Sequence, residues 1–182
     1  MSKIIDKEAI LRHFFEEPNK WFHVREMARI LKLNPTTVSK YLNALYKKGM
    51  LIKKLERKHL LFKADTENSS YKDAKIYYNI KLIRECGLID YLDKELHSPQ
   101  AIVLFGSCAK GENDKNSDID LFIIANIKKS LNLTKFEEKI KAKIQLFIKN
   151  KEEFLDLQNS NKNLINSIIN GIIIKGYLEV FI

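Results

Sequence analysis

The sequence predicts an α+β protein with two small domains, at residues 1–66 and 98–182, joined by a helical connector at 67–97. Three observations support this division. The first third shows helical spacing of apolar residues, and it also carries most of the positive charge. Two apolar, strand-like runs later in the chain flank a polar loop that ends in Asp118-Ile-Asp120. With 182 residues, 45% of them hydrophobic, the chain can bury two modest cores.

The composition excludes several classes of protein. No apolar run approaches the ~20 residues that a membrane helix needs, and the N-terminus lacks the apolar segment and cleavage site of a signal peptide. We therefore expect no membrane partner and a cytoplasmic location. Cys86 and Cys108 are isolated and lack the spacing of a zinc site, so we expect two inert free thiols and no disulfide.

Positive charge is concentrated near the N-terminus. Residues 1–66 contain 15 Lys and Arg against 7 Asp and Glu, a net charge of +8. Residues 67–182 contain 17 against 16, a net charge of +1. A basic module joined to a nearly neutral remainder favours a polyanionic partner for that module.

Three helices are predicted in this basic module. Apolar residues recur at helical spacing over residues 5–16 and 23–33, which predicts two helices that face a core. Asn34-Pro35 predicts the start of a third, because Asn caps free N–H groups and Pro has no N–H to leave unpaired. Gly49 predicts its end. The polar face of the third helix carries hydroxyl, amide and ammonium groups, on Thr36, Thr37, Ser39, Lys40, Asn43 and Lys47.

Two short strand-like runs, 51–55 and 59–63, follow this helix, and the Glu56-Arg57-Lys58 segment between them predicts a hairpin with a basic tip. Three helices and such a hairpin resemble the winged helix-turn-helix family across residues 4–65. The resemblance implies that the third helix enters the major groove of double-stranded DNA and that the hairpin tip meets a flanking backbone or minor groove. The DNA-binding residues would then be Thr36, Thr37, Ser39, Lys40, Asn43, Lys47, Arg57 and Lys58. Three-helix modules also serve as protein-docking domains, and this alternative stays open.

The connector is predicted to be helical. Ser70 and Asp73 have the spacing of a helix cap, and apolar residues then recur along one stripe of some 25 residues, at Tyr78, Leu82, Ile89, Leu92 and Leu96. Gly87 allows a break into two helices. Two interpretations remain open: the stripe packs on the following domain, or it forms a homodimer.

The loop between the two later strand-like runs predicts a site for a cation and phosphate. Alternate residues of a strand face the same side, so Asp118 and Asp120 project together. Two carboxylates ~5 Å apart repel by about 3 kcal/mol at an effective dielectric near ~20, and a cation would relieve that repulsion. Oxygen ligands without His or Cys favour Mg²⁺. Gly106 allows close backbone approach and Ser107 can hold phosphate oxygens, so a phosphoryl or nucleotidyl transfer site is expected.

The signature Gly106-Ser107, ten residues, then Asp118-Ile-Asp120 resembles the polymerase-beta-like nucleotidyltransferase superfamily, in particular its small archaeal and bacterial members. The resemblance covers residues 98–182 and implies a small mixed sheet flanked by helices. It also implies one or two Mg²⁺ ions on Asp118 and Asp120, and a nucleoside triphosphate as substrate or ligand. Nucleotide-binding residues would be Gly106, Ser107, Lys110 and Ser117.

One catalytic group of the family is missing. The resemblance implies a third carboxylate on the next strand, which is expected at residues 142–149, but that segment contains no Asp or Glu. Gln145 is predicted in its place, beside the catalytic pair Asp118 and Asp120. Two functions therefore remain: a DNA-binding protein that transfers a nucleoside monophosphate to an acceptor hydroxyl, or a transcriptional regulator. In the second, the degenerate domain senses a nucleotide or mediates protein contacts.

Overall fold

A computed structural model describes residues 7–127 and 129–180 of the chain. The chain divides into two compact units, Met1–Lys75 and Ile76–Ile182. In chain order the elements are α1 (Lys7–Glu16), β1 (Phe22–His23), α2 (Val24–Leu31), α3 (Pro35–Lys47), β2 (Leu51–Glu56), β3 (His59–Ala64), α4 (Ser69–Glu85), α5 (Leu88–Glu95), β4 (Ala101–Phe105), α6 (Gly106–Lys110), β5 (Ile119–Ile124), α7 (Thr134–Ile140), β6 (Ile144–Lys149), α8 (Lys151–Ser160), α9 (Lys162–Ile169) and β7 (Ile172–Gly176).

The three helices and the hairpin predicted in the first third are observed. Ile5, the first residue of the predicted apolar stripe, lies outside the described residues. The start of α3 follows the predicted capping chemistry, since the Asn34 side chain accepts a 2.8 Å hydrogen bond from the backbone N–H of Thr36 and Pro35 is the first helical residue. Val38 and Leu42 of α3 are fully buried, so its polar face is turned outward.

The first unit packs these helices on a three-stranded antiparallel sheet of order β1-β3-β2. Phe22 of β1 pairs with Phe62 of β3, and both side chains are buried. The Phe22 ring meets Phe14 of α1 edge-on, 5.0 Å between centroids. The hydroxyl of buried Tyr71 donates a 2.8 Å hydrogen bond to the carbonyl of Phe14. Aromatic burial therefore ties α1 to the sheet.

The β2–β3 hairpin closes with the two residues Arg57 and Lys58, whose φ angles are 48° and 63°. Two consecutive left-handed residues are typical of the tight type I′ turn, which matches the twist of the flanking strands. Residues other than Gly, Asn and Asp are energetically unfavourable in this left-handed conformation. The turn thus tolerates backbone strain and presents two cationic side chains at its tip.

The second unit contains a four-stranded mixed sheet of order β6-β5-β4-β7. β4 pairs antiparallel with both β5 and β7, whereas β5 and β6 run parallel. A parallel pair needs a crossover between its strands, and the segment with α7 supplies it. The mixed α+β architecture with flanking helices agrees with the class predicted from the sequence.

The central strand β5 is buried on both faces, which explains its uninterrupted apolar run. On one face, Leu121 packs in a cluster with Leu88 and Leu92 of α5. On the other, Phe122 packs in a cluster with Phe154 of α8 and residues of α9. Polar side chains are thereby confined to the beginning of this strand.

The connector breaks into α4 and α5 at Gly87, whose φ is 84°, the residue that allowed such a break in the sequence. Within α4, before that break, Ile83 is fully buried whereas its neighbour Leu82, a predicted stripe residue, is only half-buried. The predicted stripe residue Ile89 of α5 is also only half-buried. Leu92 and Leu96 are buried as predicted. These side chains belong to the core of the second unit, which favours packing on the following domain. Within residues 7–127 and 129–180, each helix is too short or too polar to cross a bilayer.

Candidate functional site

The two aspartates lie at the beginning of the central strand of the second unit. Asp118 immediately precedes β5, and the next residue, Ile119, donates its N–H to the carbonyl of Lys143 at 2.8 Å. Asp120 lies within β5, between Phe105 of β4 and Gln145 of β6 in the strand register. Pairing on both sides fixes the backbone that carries the acids.

Gly106 directly follows β4 and lies against Asp120. Its φ is +71°, a left-handed backbone conformation that residues other than glycine rarely adopt. A Cβ placed on Gly106 would overlap Oδ2 of Asp120. Glycine is therefore required here both by backbone conformation and by the space that the carboxylate occupies.

The environment of Asp120 disfavours its charge. Burial, and secondly the neighbouring charge of Asp118, raise the pKa of Asp120 above its ordinary value. Both effects are relieved by a cation held between the two carboxylates. The donor set, two oxygen-bearing acids without His or Cys, fits a hard cation such as Mg²⁺.

Gln145 contacts the acid pair directly. Its Nε2 donates a 2.5 Å hydrogen bond to Oδ2 of Asp118, and it stands opposite Asp120 in the parallel register. Among the residues that the structure describes, no group of three or more His, Cys, Asp or Glu side chains is arranged to hold a metal ion. An amide thus lies where a third acid would complete such a group.

A buried asparagine of α4 and a half-buried asparagine of the loop hold the segment that joins Gly106 to Asp118. Nδ2 of Asn79 in α4 donates to the carbonyl of Cys108 and to Oδ1 of Asn113, both at 2.9 Å. Nδ2 of Asn113 returns a 3.3 Å bond to Oδ1 of Asn79. Sequence reasoning missed this pair, because no motif marks Asn79 and its loop partner is 34 residues away.

Cys108 also positions an acid. Its side chain is buried and is not part of a disulfide, as predicted, and Sγ donates a 3.4 Å bond to the carbonyl of Asp118. The interpretation of Cys108 as an inert residue therefore overlooked a contact with the backbone of the site.

The remaining residues predicted to bind nucleotide lie around the same loop. The carbonyl of Ser107 accepts the N–H of Gly111 and of Glu112, which closes the short helix α6. Lys110 is exposed at the end of α6. The hydroxyl of Ser117 accepts the N–H of Asp114 and donates to its carboxylate. Ser117 thus closes the turn before the acids, and Ser107 and Lys110 lie at the opposite end of the loop.

The residues predicted to bind DNA lie within the first unit. Thr36, Lys40 and Lys47 are exposed on α3, and Thr37, Ser39 and Asn43 are half-buried. Thr36 and Ser39 line a groove of about 440 Å³ with Lys58 of the hairpin tip. The groove also contains Arg25, which the sequence reasoning missed because it precedes the predicted recognition helix. Nδ2 of Asn43 donates to the carbonyl and hydroxyl of Ser39 within α3.

Comparison with protein families matches the second unit to a known domain. The family model described as polymerase beta, nucleotidyltransferase matches residues 87–177, which is half of the chain. The chain therefore belongs to the polymerase beta nucleotidyltransferase family. Domains of this family generally use Mg²⁺ and a nucleoside triphosphate. A comparison with curated proteins found no match.

Replacing Gly106 by alanine is expected to displace the Asp120 carboxylate. Gly87→Ala is the matched control, because φ is also positive there but nothing lies within 4 Å of the added Cβ. Gly87→Ala should lose about 1–2 kcal/mol of unfolding free energy from backbone strain. Gly106→Ala should lose more, and should also weaken Mg²⁺-dependent nucleotide binding at least ~10-fold. Denaturant unfolding and calorimetric binding measure both effects; equal losses in the two variants would contradict the overlap.

Replacing Asp120 by asparagine is expected to stabilise the metal-free protein. Because the folded state raises the pKa of Asp120, stability falls as pH rises between the unfolded and folded pKa values and stays reduced above both. Asp120→Asn should therefore melt at a higher temperature than the wild type at pH 7 without divalent cations. The difference should shrink at a pH below the ordinary aspartate value of about 3.9. Exposed Asp156→Asn is the control, and a lower melting temperature for Asp120→Asn would contradict the assignment.

Proposed function

We propose that this protein transfers a nucleoside monophosphate from a Mg²⁺-bound nucleoside triphosphate to an acceptor hydroxyl, and that its first unit is a winged helix-turn-helix that binds double-stranded DNA. The arrangement resembles archaeal proteins and suits a cytoplasmic location. The observation that carries the proposal is the Asp120 carboxylate, with Asp118 two residues before it, against the bare backbone of Gly106 within a domain of the nucleotidyltransferase family.

The acids and the loop would bind different parts of the ligand, the cation and the phosphates respectively. Asp118 and Asp120 would hold Mg²⁺, which when bound neutralises triphosphate charge and orients the phosphates. Gly106, Ser107 and Lys110 would hold the phosphate oxygens from the side of the loop. In the transfer, the acceptor oxygen bonds to the α-phosphorus as the bond to pyrophosphate breaks, and the hydroxyl proton is lost.

Gln145 limits the chemistry that these residues perform. Its amide donates to Asp118 and so holds that carboxylate in place, but an amide cannot take the proton of the attacking hydroxyl. That proton passes to water or to one of the two carboxylates. Loss of a dedicated general base typically costs about 10²- to 10⁴-fold in rate, so we expect a slow transferase.

The same observation favours a second candidate function. An amide at Gln145 leaves the site able to bind nucleotide and Mg²⁺ without turnover. The protein would then be a transcriptional regulator whose nucleotidyltransferase domain serves as a nucleotide sensor or protein-interaction module. The two functions share the binding site and differ only in whether a phosphorus–oxygen bond is broken.

A direct assay separates the two functions. Purified protein with Mg²⁺ and labelled nucleoside triphosphates should release pyrophosphate slowly, and Asp118→Ala/Asp120→Ala should release none. Gln145→Glu places a third carboxylate beside Asp118 and Asp120 and should raise the rate by up to ~10², whereas Gln145→Ala should not. Nucleotide binding without pyrophosphate release in both wild type and Gln145→Glu would favour the sensor; absence of nucleotide binding would remove both functions.

Three features of the first unit support the DNA-binding part of the proposal. Its net charge is +8 over residues 1–66. Thr36, Lys40, Asn43 and Lys47 recur at spacings that share one helical face. The groove beside α3 joins that helix to the cationic hairpin tip. Helix and hairpin together present hydroxyl and cationic groups to one polyanion.

DNA affinity should depend on particular cations. Lys40→Ala and Arg57→Ala should each weaken duplex binding and reduce the slope of log affinity against log salt by about 1, because each removes one phosphate contact. Lys48→Ala is the control, since Lys48 lies beside Ile10 and Leu45, away from that face. Titrations of labelled duplex at several salt concentrations provide the measurement. Equal slopes for all four proteins would contradict the interface.

A homodimer through the connector is the final element of the proposal. Leu88, Leu92 and Leu96 are already buried in the second unit. Exposed Tyr77, with 65% of its surface accessible, is the side chain of α4 that such an interface would use.

A further inference from the structure

The three-stranded sheet of the first unit has a second face, opposite the buried aromatic core. Strand alternation turns Phe22 and Phe62 inward, so their neighbours along β1, β2 and β3 point outward. The register assigns seven of these neighbours to one surface, called here the outward face: His23, Ile52, Lys54, Glu56, His59, Leu61 and Lys63. Trp21, directly before β1, joins them through its contacts with Lys54 and Lys63.

Trp21 lies on the outward face and is the only tryptophan of the sequence. The ammonium of Lys54 lies 4.7 Å from its ring centroid and that of Lys63 lies 5.4 Å from it. The tryptophan is half-buried, and neighbouring Ile52 keeps 37% of its surface exposed. Both ammonium groups lie over the ring, so a base that stacks on Trp21 displaces them from the ring toward its own phosphates. Aromatic rings accompanied by cations on accessible sheets are surfaces on which nucleic acid bases stack.

The charge of the outward face and its surroundings favours an anionic ligand. Lys54 also bonds Glu56 at 2.6 Å, the one acid among the eight side chains that define the face. His23 and His59 lie edge to face, 4.5 Å between ring centroids, and both also line the groove that holds Arg25 and Lys58. A chain of phosphates could therefore run from that groove onto the outward face and meet cations along its length.

We propose that the outward face binds an unpaired strand of nucleic acid, with a base stacked on Trp21 and phosphates on Lys54 and Lys63. The strand must be unpaired, because the bases of a duplex are already stacked on one another and offer no face to an aromatic side chain. This site is distinct from the duplex contacts proposed for α3. It does not depend on the nucleotidyl transfer proposed for the second unit.

The single tryptophan gives a direct readout. Titrating the full-length protein with an oligothymidine of about 12 nucleotides, within the usual site size of such surfaces, should quench the fluorescence of Trp21. A blunt duplex of the same length should leave that fluorescence nearly unchanged, even where it binds elsewhere on the first unit.

Variants test the residues themselves, through the anisotropy of a labelled oligothymidine. Trp21→Ala should weaken binding about 5- to 100-fold and Trp21→Phe less, as expected for one stacked base. Lys54→Ala/Lys63→Ala should weaken it about 10-fold or more and flatten its salt dependence. Lys53→Ala is the matched control, because Lys53 lies on the same strand but faces Tyr46 on the other side of the sheet; its affinity should stay within about twofold of the wild type.

Several results would overturn the proposal. These are unchanged fluorescence at saturating oligothymidine, equal quenching by the blunt duplex, or a double lysine variant that binds like Lys53→Ala. If the fluorescence of Trp21 falls as the protein concentration rises, with no effect of oligothymidine, the outward face would instead be a contact with a second copy of the chain. If Trp21→Ala fails to melt cooperatively, the wild-type fluorescence and the surface lysine variants still decide the question.

Discussion

The close approach of the Asp120 carboxylate to the backbone of Gly106 is the constraint on which the second unit depends. The β4–β5 register places Phe105 opposite Asp120, so the chain must turn away from β4 directly beside a charged group. Only a residue without Cβ leaves that space. Apolar helices cover both faces of the sheet further along, and the beginning of β5 is therefore where ionised groups can be retained.

Contacts from residues other than the glycine, serine and aspartates of the signature hold Asp118 and the loop in place. The thiol of Cys108 and the amide of Gln145 bond the backbone and side chain of Asp118. The Asn79–Asn113 pair ties the loop to α4. Such bonds fix the geometry before any ligand arrives, which reduces the entropy lost on binding. Gln145 holds Asp118 in place, but its amide cannot accept a proton. The residue that fixes the geometry of the site is therefore unable to act as a general base.

The hairpin of the first unit has a strained backbone turn with two cationic side chains, and its strands form part of a sheet that carries an aromatic side chain on its outward face. The tight turn keeps Arg57 and Lys58 in left-handed conformations, and the sheet below it turns one face to the core and exposes the other. His23 and His59 belong both to the groove beside α3 and to the outward face. The proposed duplex contacts and the proposed single-strand contacts therefore adjoin at these histidines, and they use different lysines.

Much of the fold followed from local signals. Asn34-Pro35 predicted the start of α3, and Gly87 allowed the break after α4, because capping and left-handed turns depend on a few adjacent residues. The predicted stripe was wrong at Leu82, because the adjacent Ile83 faces the core instead, and only packing shows which of two neighbouring apolar residues is buried. Arg25 was missed because folding, not proximity in sequence, brings it to α3 and the hairpin tip.

By itself, the sequence determined the chemistry available to the site: two carboxylates, a glycine, and a following strand without acids. Its residue types and spacing are local properties, and they placed the chain in the right family before any contact was known. The tertiary structure decided which groups meet. It set Gln145 on Asp118 and opposite Asp120, placed Asn79 under the loop, and gathered Trp21, Lys54 and Lys63 on one face. Those contacts depend on strand register and helix packing, which join residues far apart in the chain and leave no local signal.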